Sequence, residues 1–373
     1  MSECLREKSN RRILVLANND VGLYRFRKDL LAALQAAGYD VYLSLPDGGF
    51  VPELVQLGCH FLDTPVDRRG KNPLRDLGLL RRYRALLRAV RPELVLTYTV
   101  KPNIYGGLAC RWARVPYAAN ITGLGSALEN GGGLRRLVLA LYKSALKRAR
   151  VVFFENSANR DALDAAGVVP KGRDVVLAGA GVNLKDFPYQ PYPQNMPVRF
   201  LFVGRVMREK GIDELFAAAK RLHWDGAAVE FHVVGSFEEA YKSAMDALEQ
   251  AGVVRCHGYQ ADMRPWYAMA DCVVLPSYHE GMSNVLLEAA ASGRPLITSD
   301  IPGCREAVAP GESGLLCPPQ DAEALYETLQ AFLALPAAAR AEMGRRGRAR
   351  MEARFDKAAV VAETVRHLEL RHG

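Results

Sequence analysis

Phe187-Pro188-Tyr189-Gln190-Pro191-Tyr192-Pro193-Gln194-Asn195-Met196-Pro197 places four prolines within eleven residues. Proline fixes φ and has no amide donor, so this stretch predicts neither a helix nor a central strand. It predicts a linker, and the pattern on either side says what is joined. Downstream, apolar runs at 198–203, 229–234, 253–257, 272–276, 296–298 and 314–317 predict strands. Between them, helical spacing covers 212–222, 241–251, 263–269 and 284–292, and later helices cover about 321–335, 336–353 and on to about 370. Upstream, Arg11-Arg12-Ile13-Leu14-Val15-Leu16-Ala17-Asn18 predicts a buried parallel strand, followed by a turn at Val21-Gly22-Leu23 and a helix over 25–37 that stops at Gly38. Strands at 39–45, 93–98, 116–121, 151–155 and 174–178 alternate with helices at 74–90, 104–114, 134–149 and 158–166.

Two successive α/β runs around a proline-rich break imply two doubly wound Rossmann-like domains facing a central cleft. The expected boundaries are an N-terminal acceptor-side domain over 1–186, a linker over 187–197 and a second domain over 198–355. A last helix over 356–373 is placed to pack back on the first domain.

A chain of 373 residues, 49% hydrophobic and 24% charged, has the composition of an ordinary globular protein with enough apolar side chains for two cores. Its seven cysteines are scattered, odd in number and free of any C-x-x-C pair, which favours reduced thiols in a cytoplasmic protein over a disulfide framework or zinc site. The first apolar stretch, 13–17, is too short for a signal peptide, and no run is long enough to span a bilayer. Charge is unevenly placed. Residues 1–190 hold 29 Lys+Arg against 17 Asp+Glu, a net +12, while residues 191–373 hold 20 against 24, a net −4. Such asymmetry points to an anionic partner for the first half.

The strand at 198–203 runs into Gly204-Arg205-Val206-Met207-Arg208-Glu209-Lys210-Gly211. A tight turn at a strand's carboxyl end presents Arg205 as a rigid fork and Lys210 as a point charge, both suited to phosphate oxygens. The turn lacks the Walker pattern. The strand at 272–276 runs into Ser277-Tyr278-His279-Glu280-Gly281-Met282-Ser283-Asn284, where Ser283 or Asn284 can cap the next helix and its free amides can bind a diphosphate. Glu280 lies in the loop and Glu288 just over one turn into the helix. A carboxylate is a good acceptor for ribose or sugar hydroxyls. Apolar or small residues surround Glu288, so its charge needs a partner.

Gly204-Arg205-x4-Lys210 followed by Glu280-x7-Glu288 resembles the retaining glycosyltransferases of the GT-B fold, family 4. Gly179-Ala180-Gly181-Val182-Asn183 with Phe187 is similar to that family's interdomain segment, although Asp is more usual at position 183, and Gly293–Thr298 and Gly314–Leu316 are similar to later donor-domain elements. The resemblance spans nearly the whole chain and is strongest over 179–320. It implies that Arg205 and Lys210 neutralise the donor diphosphate, that Glu280 acts with them, and that Gly204, Gly281, Met282, Ser283, Asn284, Glu288 and Tyr259 hold the UDP-sugar donor. Neither a metal nor another cofactor is implied, and His279-Glu280 is no metal pair. Thr122 stands near the place where the family often has a histidine, so front-face transfer, with the leaving phosphate taking the acceptor proton, becomes the expected route. Gly123-Leu124-Gly125-Ser126 is an incomplete nucleotide fingerprint, best read as a close-approach loop.

Tyr98–Gly106 together with Asn120–Gly125 resembles a subgroup that extends saccharides on a polyprenyl diphosphate carrier. Gly22, Lys101, Asn103, Thr122 and Gly123 are the acceptor-side candidates, with Pro102 expected to hold an extended or turn conformation that lets Lys101 and Asn103 point into the cleft. Residues 68–91 hold nine basic residues and one acid, and residues 134–150 form a basic amphipathic pattern, both suited to peripheral contact with an anionic inner membrane surface. A non-hydrolysing UDP-sugar epimerase of the same fold and a non-catalytic polyanion-binding module are the alternatives. No nucleic-acid motif accompanies the basic half.

Overall fold

The computed structural model describes residues 11–67, 70, 72–124, 132–193 and 196–368. The chain divides into two compact units, one of Met1–Ala180 with Ala358–Gly373 and one of Gly181–Lys357.

The first unit is built on a seven-stranded parallel sheet of order β3-β2-β1-β4-β5-β6-β7. Its strands are β1 (Arg12–Leu16), β2 (Asp40–Leu45), β3 (His60–Asp63), β4 (Leu94–Tyr98), β5 (Tyr117–Ile121), β6 (Val151–Phe154) and β7 (Asp174–Val176). β4, β5 and β6 are buried throughout, which is why they read as continuous apolar runs. One face of the sheet packs Leu79, Tyr83, Leu87, Leu108, Tyr142 and Leu146 from the helices Pro73–Val90, Gly107–Ala113 and Gly133–Leu146. The opposite face packs Leu30, Leu34 and Leu54 from Asp20–Ala36 and Val51–Gln56, together with Val360 and Leu368 from the end of the chain. That last helix, Lys357–His367, is further held by Arg150 Nη1, which donates to the Leu368 carbonyl at 3.0 Å.

Three local expectations change. The turn expected at Val21–Leu23 is helical, because Asn19, extended at φ −164°, caps the helix from Asp20 by accepting the Gly22 amide at 2.6 Å. The helix Val51–Gln56 and edge strand β3 are too short and too exposed to give a periodic signal. Pro102, expected to hold an extended backbone, instead opens a π-helical turn over Pro102–Gly106, with Lys101 already helical at φ −68°, ψ −45°. A proline in a helix's first turn gives up only an amide with no helical partner. Asn103 therefore turns into the sheet rather than outward. Thr97 Oγ1 donates to its Oδ1 at 2.6 Å, and its Nδ2 donates to the Asn120 carbonyl at 2.9 Å. Asn120 Nδ2 closes the ring on the Thr97 carbonyl at 3.2 Å.

The second unit has a six-stranded parallel sheet of order β10-β9-β8-β11-β12-β13. Its strands are β8 (Val198–Val203), β9 (Val229–Val234), β10 (Arg255–Cys256), β11 (Cys272–Leu275), β12 (Leu296–Ser299) and β13 (Gly314–Cys317). Phe200 lies at the centre of the core, stacked on Phe231 at 5.1 Å and tilted against Phe332 at 5.8 Å. The proline-rich stretch belongs to this unit. Arg294, fully buried, donates through Nη2 to the carbonyls of Gln190 at 2.6 Å and Pro191 at 2.8 Å, and through Nη1 to that of Ala270. Carbonyl oxygens turned inward this way replace the water lost by a buried guanidinium; burial still lowers its pKa to about 10. Val182 and Phe355 run side by side, with the Val182 amide donating to the Phe355 carbonyl at 2.8 Å and the Lys357 amide to the Val182 carbonyl at 3.1 Å. Among the described residues no helix is long and apolar enough to cross a membrane.

Asn103→Ala strips the Asn120 carbonyl and the Thr97 hydroxyl of their buried partner. The expected loss is about 2 kcal/mol in urea unfolding, since an orphaned buried polar group costs about 1–3 kcal/mol.

Candidate active site

The second sheet has the order 3-2-1-4-5-6 in its own strand numbering, and its winding reverses between β8 and β11. Ligands of doubly wound sheets bind beyond the carboxyl ends of the strands at that reversal. The loops that follow β8 and β11 are the two that carry the charged motifs.

Glycines draw these loops together. A Cβ on Gly235 (φ +154°), after β9, would meet the Gly204 carbonyl oxygen at 1.7 Å, and one on Gly211 (φ +73°) would meet that of Pro276 at 2.0 Å. A Cβ on Gly303 (φ +86°), after β12, would meet the carbonyl oxygens of Glu280 and Gly281, each at 2.6 Å. All three positions need glycine for backbone angle and for space. Direct bonds complete the join, from the Tyr278 amide to the Glu209 carbonyl at 2.9 Å and from the Ser283 amide to the Gly303 carbonyl at 2.9 Å.

Within this frame Lys210 Nζ lies 2.5 Å from Glu280 Oε1, with both side chains largely buried, and Ser277 Oγ donates to the same oxygen at 2.9 Å. Arg205, from the same loop as Lys210, is paired through Nη1 with Glu238 Oε2 at 2.9 Å; that pair is substantially exposed. An exposed pair is worth little, about 0–1 kcal/mol, so Arg205 exchanges partners at small cost. Ser283 occupies the cap position of the helix Asn284–Ala291 but makes no side-chain cap bond. The first-turn amides of that helix thus gain nothing from the Ser283 hydroxyl, and its N-terminus offers partial positive charge to an anion. Met282 and Ser283 are buried and Gly281 and Asn284 half-buried. Glu288, half-buried one turn on, accepts from the Tyr267 hydroxyl at 2.9 Å. Tyr267 is fully buried, and its ring meets Phe187 edge-on at 5.9 Å. Tyr259 is exposed and follows Gly258, whose carbonyl accepts the Gly235 amide at 2.8 Å.

Lys210, Glu280 and the cap of the 284–291 helix are thus gathered at one reversal, with Gly204 and Arg205 in the adjoining loop and Glu288 within the helix. Tyr267, Ser277, Glu238 and the glycines Gly235 and Gly303 complete the arrangement without having been singled out in the sequence. Ser277 meets Glu280 within their own loop, three residues apart; for the others spacing gives no signal, because each meets its partner only through tertiary contact. Of the five acceptor-side candidates in the first unit, Gly22 has its amide engaged by Asn19, and Asn103 is buried in the β4–β5 clamp. Lys101 Nζ is paired with Asp76 Oδ1 at 2.7 Å, and the Tyr105 hydroxyl donates to Asp76 Oδ2 at 2.9 Å. Burial, with Asp76 adding to it, raises the Tyr105 pKa. Thr122 and Gly123 follow β5 half-buried, with open space where a Gly123 Cβ would stand. Gly125 and Ser126 lie outside the described residues. Among the described residues no three His, Cys, Asp or Glu side chains gather to hold a metal ion.

Two family models match this chain, "Glycosyl transferase 4-like domain" over residues 22–179 and "Glycosyl transferases group 1" over residues 197–334. The chain is 28% identical over 339 residues to the N,N'-diacetylbacillosaminyl-diphospho-undecaprenol alpha-1,3-N-acetylgalactosaminyltransferase of Campylobacter jejuni, covering 86% of this chain and 89% of that one. Among solved structures, sucrose-phosphate synthase from Thermosynechococcus elongatus superposes with a TM-score of 0.80 at 22% identity, over 95% of this chain and 98% of that one. Anabaena Alr3699/HepE in complex with UDP-glucose gives a TM-score of 0.79 at 21% identity, over 95% and 99%. With two Rossmann-like units and both models matched in order, the chain belongs to the GT-B glycosyltransferases with a family 4-like first domain and a group 1 second domain.

Proposed function

We propose that this protein is a retaining glycosyltransferase that moves a hexose or N-acetylhexosamine from a UDP-sugar to a polyprenyl-diphosphate-linked saccharide in bacterial glycan assembly. One observation carries the reading: Lys210 and Glu280, from different loops, form a largely buried pair where β8 and β11 diverge, beside a helix N-terminus. A cation and helix-end amides suit the diphosphate that must depart. The neighbouring carboxylate suits sugar hydroxyls. The donor and the lipid-linked acceptor are drawn from the relatives: the Anabaena structure holds UDP-glucose, and the Campylobacter enzyme is named for a diphospho-undecaprenol substrate.

In this mechanism Arg205 leaves Glu238 for the donor phosphates, and Lys210 turns part of its charge from Glu280 toward them. The bond between the anomeric carbon and the β-phosphate oxygen breaks as negative charge grows on the leaving UDP, where these cations and the helix amides of residues 284–286 are already fixed. The acceptor hydroxyl attacks from the same face, its proton passes to the departing phosphate oxygen, and the anomeric configuration is retained. Thr122, in place of an imidazole, supplies no base. Glu280 orients the sugar, Glu288 accepts the ribose hydroxyls while held by Tyr267, and Tyr259 lies against the base. Gly204, Gly281, Met282, Ser283 and Asn284 line the phosphate and sugar. Gly22, Thr122, Gly123 and Lys101 approach the acceptor, with Lys101 exchanging Asp76 for an acceptor oxygen. The enzyme works at the cytoplasmic membrane face in peripheral contact with it.

Lys210→Ala and Glu280→Gln are each expected to lower kcat by about 10²–10³, the usual effect of losing one preorganised charge or donor; each also leaves its largely buried partner uncompensated, so the thermal midpoint should fall as well, and the rates are compared below it. Radiolabelled UDP-sugars incubated with membrane extract measure this. Wild-type rates in both variants would remove these residues from the mechanism. UDP at about one hundred times its Kd should stabilise the protein by about 2.7 kcal/mol, read as a raised thermal midpoint; indifference to UDP would contradict the donor assignment.

A further inference from the structure

Glu230 and His232 lie two residues apart on β9, so their side chains leave the sheet on one face. β10 runs beside β9 with Arg255 level with His232, and His257 follows directly at the carboxyl end of β10. Three of these side chains form a chain of bonds. His232 Nε2 lies 3.3 Å from Glu230 Oε2, and His232 Nδ1 lies 2.9 Å from His257 Nε2, with the two rings within 12° of parallel. His232 is buried. His257 is half-buried, and its ring meets that of Trp266 at 4.3 Å. The backbone here is tied to the candidate donor site. The His257 amide donates to the Val233 carbonyl at 2.9 Å, the Gln260 side chain donates to the His257 carbonyl at 2.8 Å, and the Gly258 carbonyl accepts the Gly235 amide at 2.8 Å. Gly235 in turn abuts Gly204, and Tyr259 follows Gly258.

Charge fixes where the protons sit on this chain of bonds. Burial raises the Glu230 pKa, but His232, Arg255 and Arg199 outweigh it and bring the value below the ordinary one, so Glu230 is a carboxylate. His232 Nε2 therefore donates to Glu230, His232 Nδ1 accepts, and His257 Nε2 donates. Any further proton must sit on one of the two rings. Glu230 is the nearest counter-charge, and it is already shared between Arg255 Nη2 at 2.7 Å and Arg199 Nε at 3.2 Å. Glu249, from the helix Lys242–Gln250, accepts the Cys256 amide at 2.8 Å and faces His257. Arg264, which opens the Trp266 helix, is paired with Asp262 at 2.7 Å. Burial lowers the pKa of both histidines, with Arg255 adding to it and the carboxylates Glu230 and Glu249 opposing it. Once both rings are imidazolium, two N–H donors face each other at 2.9 Å with no acceptor between them, and the rings must part.

We propose that His232 and His257 are positioning residues for the nucleotide: as a neutral hydrogen-bonded pair they hold the Gly258–Tyr259 segment in place, and protonation of the pair releases that segment, so that donor affinity falls in mild acid. The inference rests on the reading above for Tyr259 lying against the base. It adds what holds Tyr259 there and the condition that lets it go. The sign follows from the lowered values. In this range the folded protein binds fewer protons than the unfolded chain, so the contribution of the pair is complete above about pH 6.5 and is lost as the pH falls through the lowered values. A ligand that needs the segment in place binds the neutral pair and drives protons off it.

The test is calorimetric titration of UDP into the full chain at about pH 8 and about pH 5.5, with His257→Gln and His279→Gln alongside the wild type. UDP gains a phosphate proton of its own in this range, so the readout is the difference between proteins. On acidification the wild type should lose at least about tenfold more affinity than His257→Gln, tenfold being one unit of pKa difference between free and bound protein. A glutamine amide can replace the Nε2 donor without titrating, so at the higher pH His257→Gln should bind UDP within about threefold of wild type. His279, beside Glu280 in sequence, is the control, and His279→Gln should keep the wild-type slope. Amide exchange over residues 256–261, corrected for its intrinsic dependence on pH, reads the release in the wild type without nucleotide and should quicken by about tenfold at the lower pH. An equal loss of affinity in wild type and His257→Gln, a slope that disappears in His279→Gln, or exchange that acid leaves unchanged would overturn the proposal. Exchange that quickens in acid, in a protein that fails to bind UDP at the higher pH, would count against the donor reading instead.

Discussion

The ion pair of Lys210 and Glu280 is the interaction on which the reading of the second unit depends. Two oppositely charged side chains are brought to 2.5 Å in a largely buried setting, and neither is close to the other in sequence. Withdrawing both from water is costly, and their attraction offsets the cost only because the geometry is tight and Ser277 adds a donor to the same oxygen. A pair held this way is poised: an incoming diphosphate offers Lys210 further negative charge, and a sugar offers Glu280 hydroxyl donors.

The backbone makes that pair possible. Loops after β8, β9, β11 and β12 approach one another more closely than any side chain permits, and glycine stands at the contacts: Gly211 against Pro276, Gly235 against Gly204, Gly303 against Glu280 and Gly281. The helix that bears Glu288 is tied in from its other end, where Arg348 Nη1 donates to the carbonyls of Ala291 and Phe187, each at 2.9 Å. Phe187 in turn packs on Tyr267, which holds Glu288. The residues just after the crossing between units are thereby fixed to the helix that carries the nucleotide-side carboxylate.

Much of this is legible in the sequence. Buried parallel strands such as β4, β6 and β8 announce themselves as apolar runs, and charged motifs directly after β8 and β11 mark the reversal of the sheet. The edge strand β3 was not legible, because four half-exposed residues have no period to detect. Pro102 misled for a physical reason: its restriction on the preceding residue argues for extended backbone, yet the first turn of a helix tolerates proline equally well. Asn103 followed from that error, and its amide proved to clamp β4 to β5. The proline-rich stretch is irregular, as its composition requires, but Arg294 binds its carbonyls, and no spacing rule links residue 294 to residues 190 and 191. Glu288 was recognised as needing a partner; that the partner is Tyr267 depends on tertiary contact alone.

The central claim is that the affinity of the second unit for a nucleotide lies in its diphosphate, met by Lys210 and its neighbours. Calorimetric titration with UDP, UMP and uridine tests this directly, in the wild type and in Lys210→Met. The account predicts that UDP binds at least about 100-fold more tightly than uridine, a gap on the scale of two charge-assisted hydrogen bonds, and that the gap narrows about tenfold or more in the variant. Equal affinities for UDP and uridine, or a gap untouched by the substitution, would contradict it.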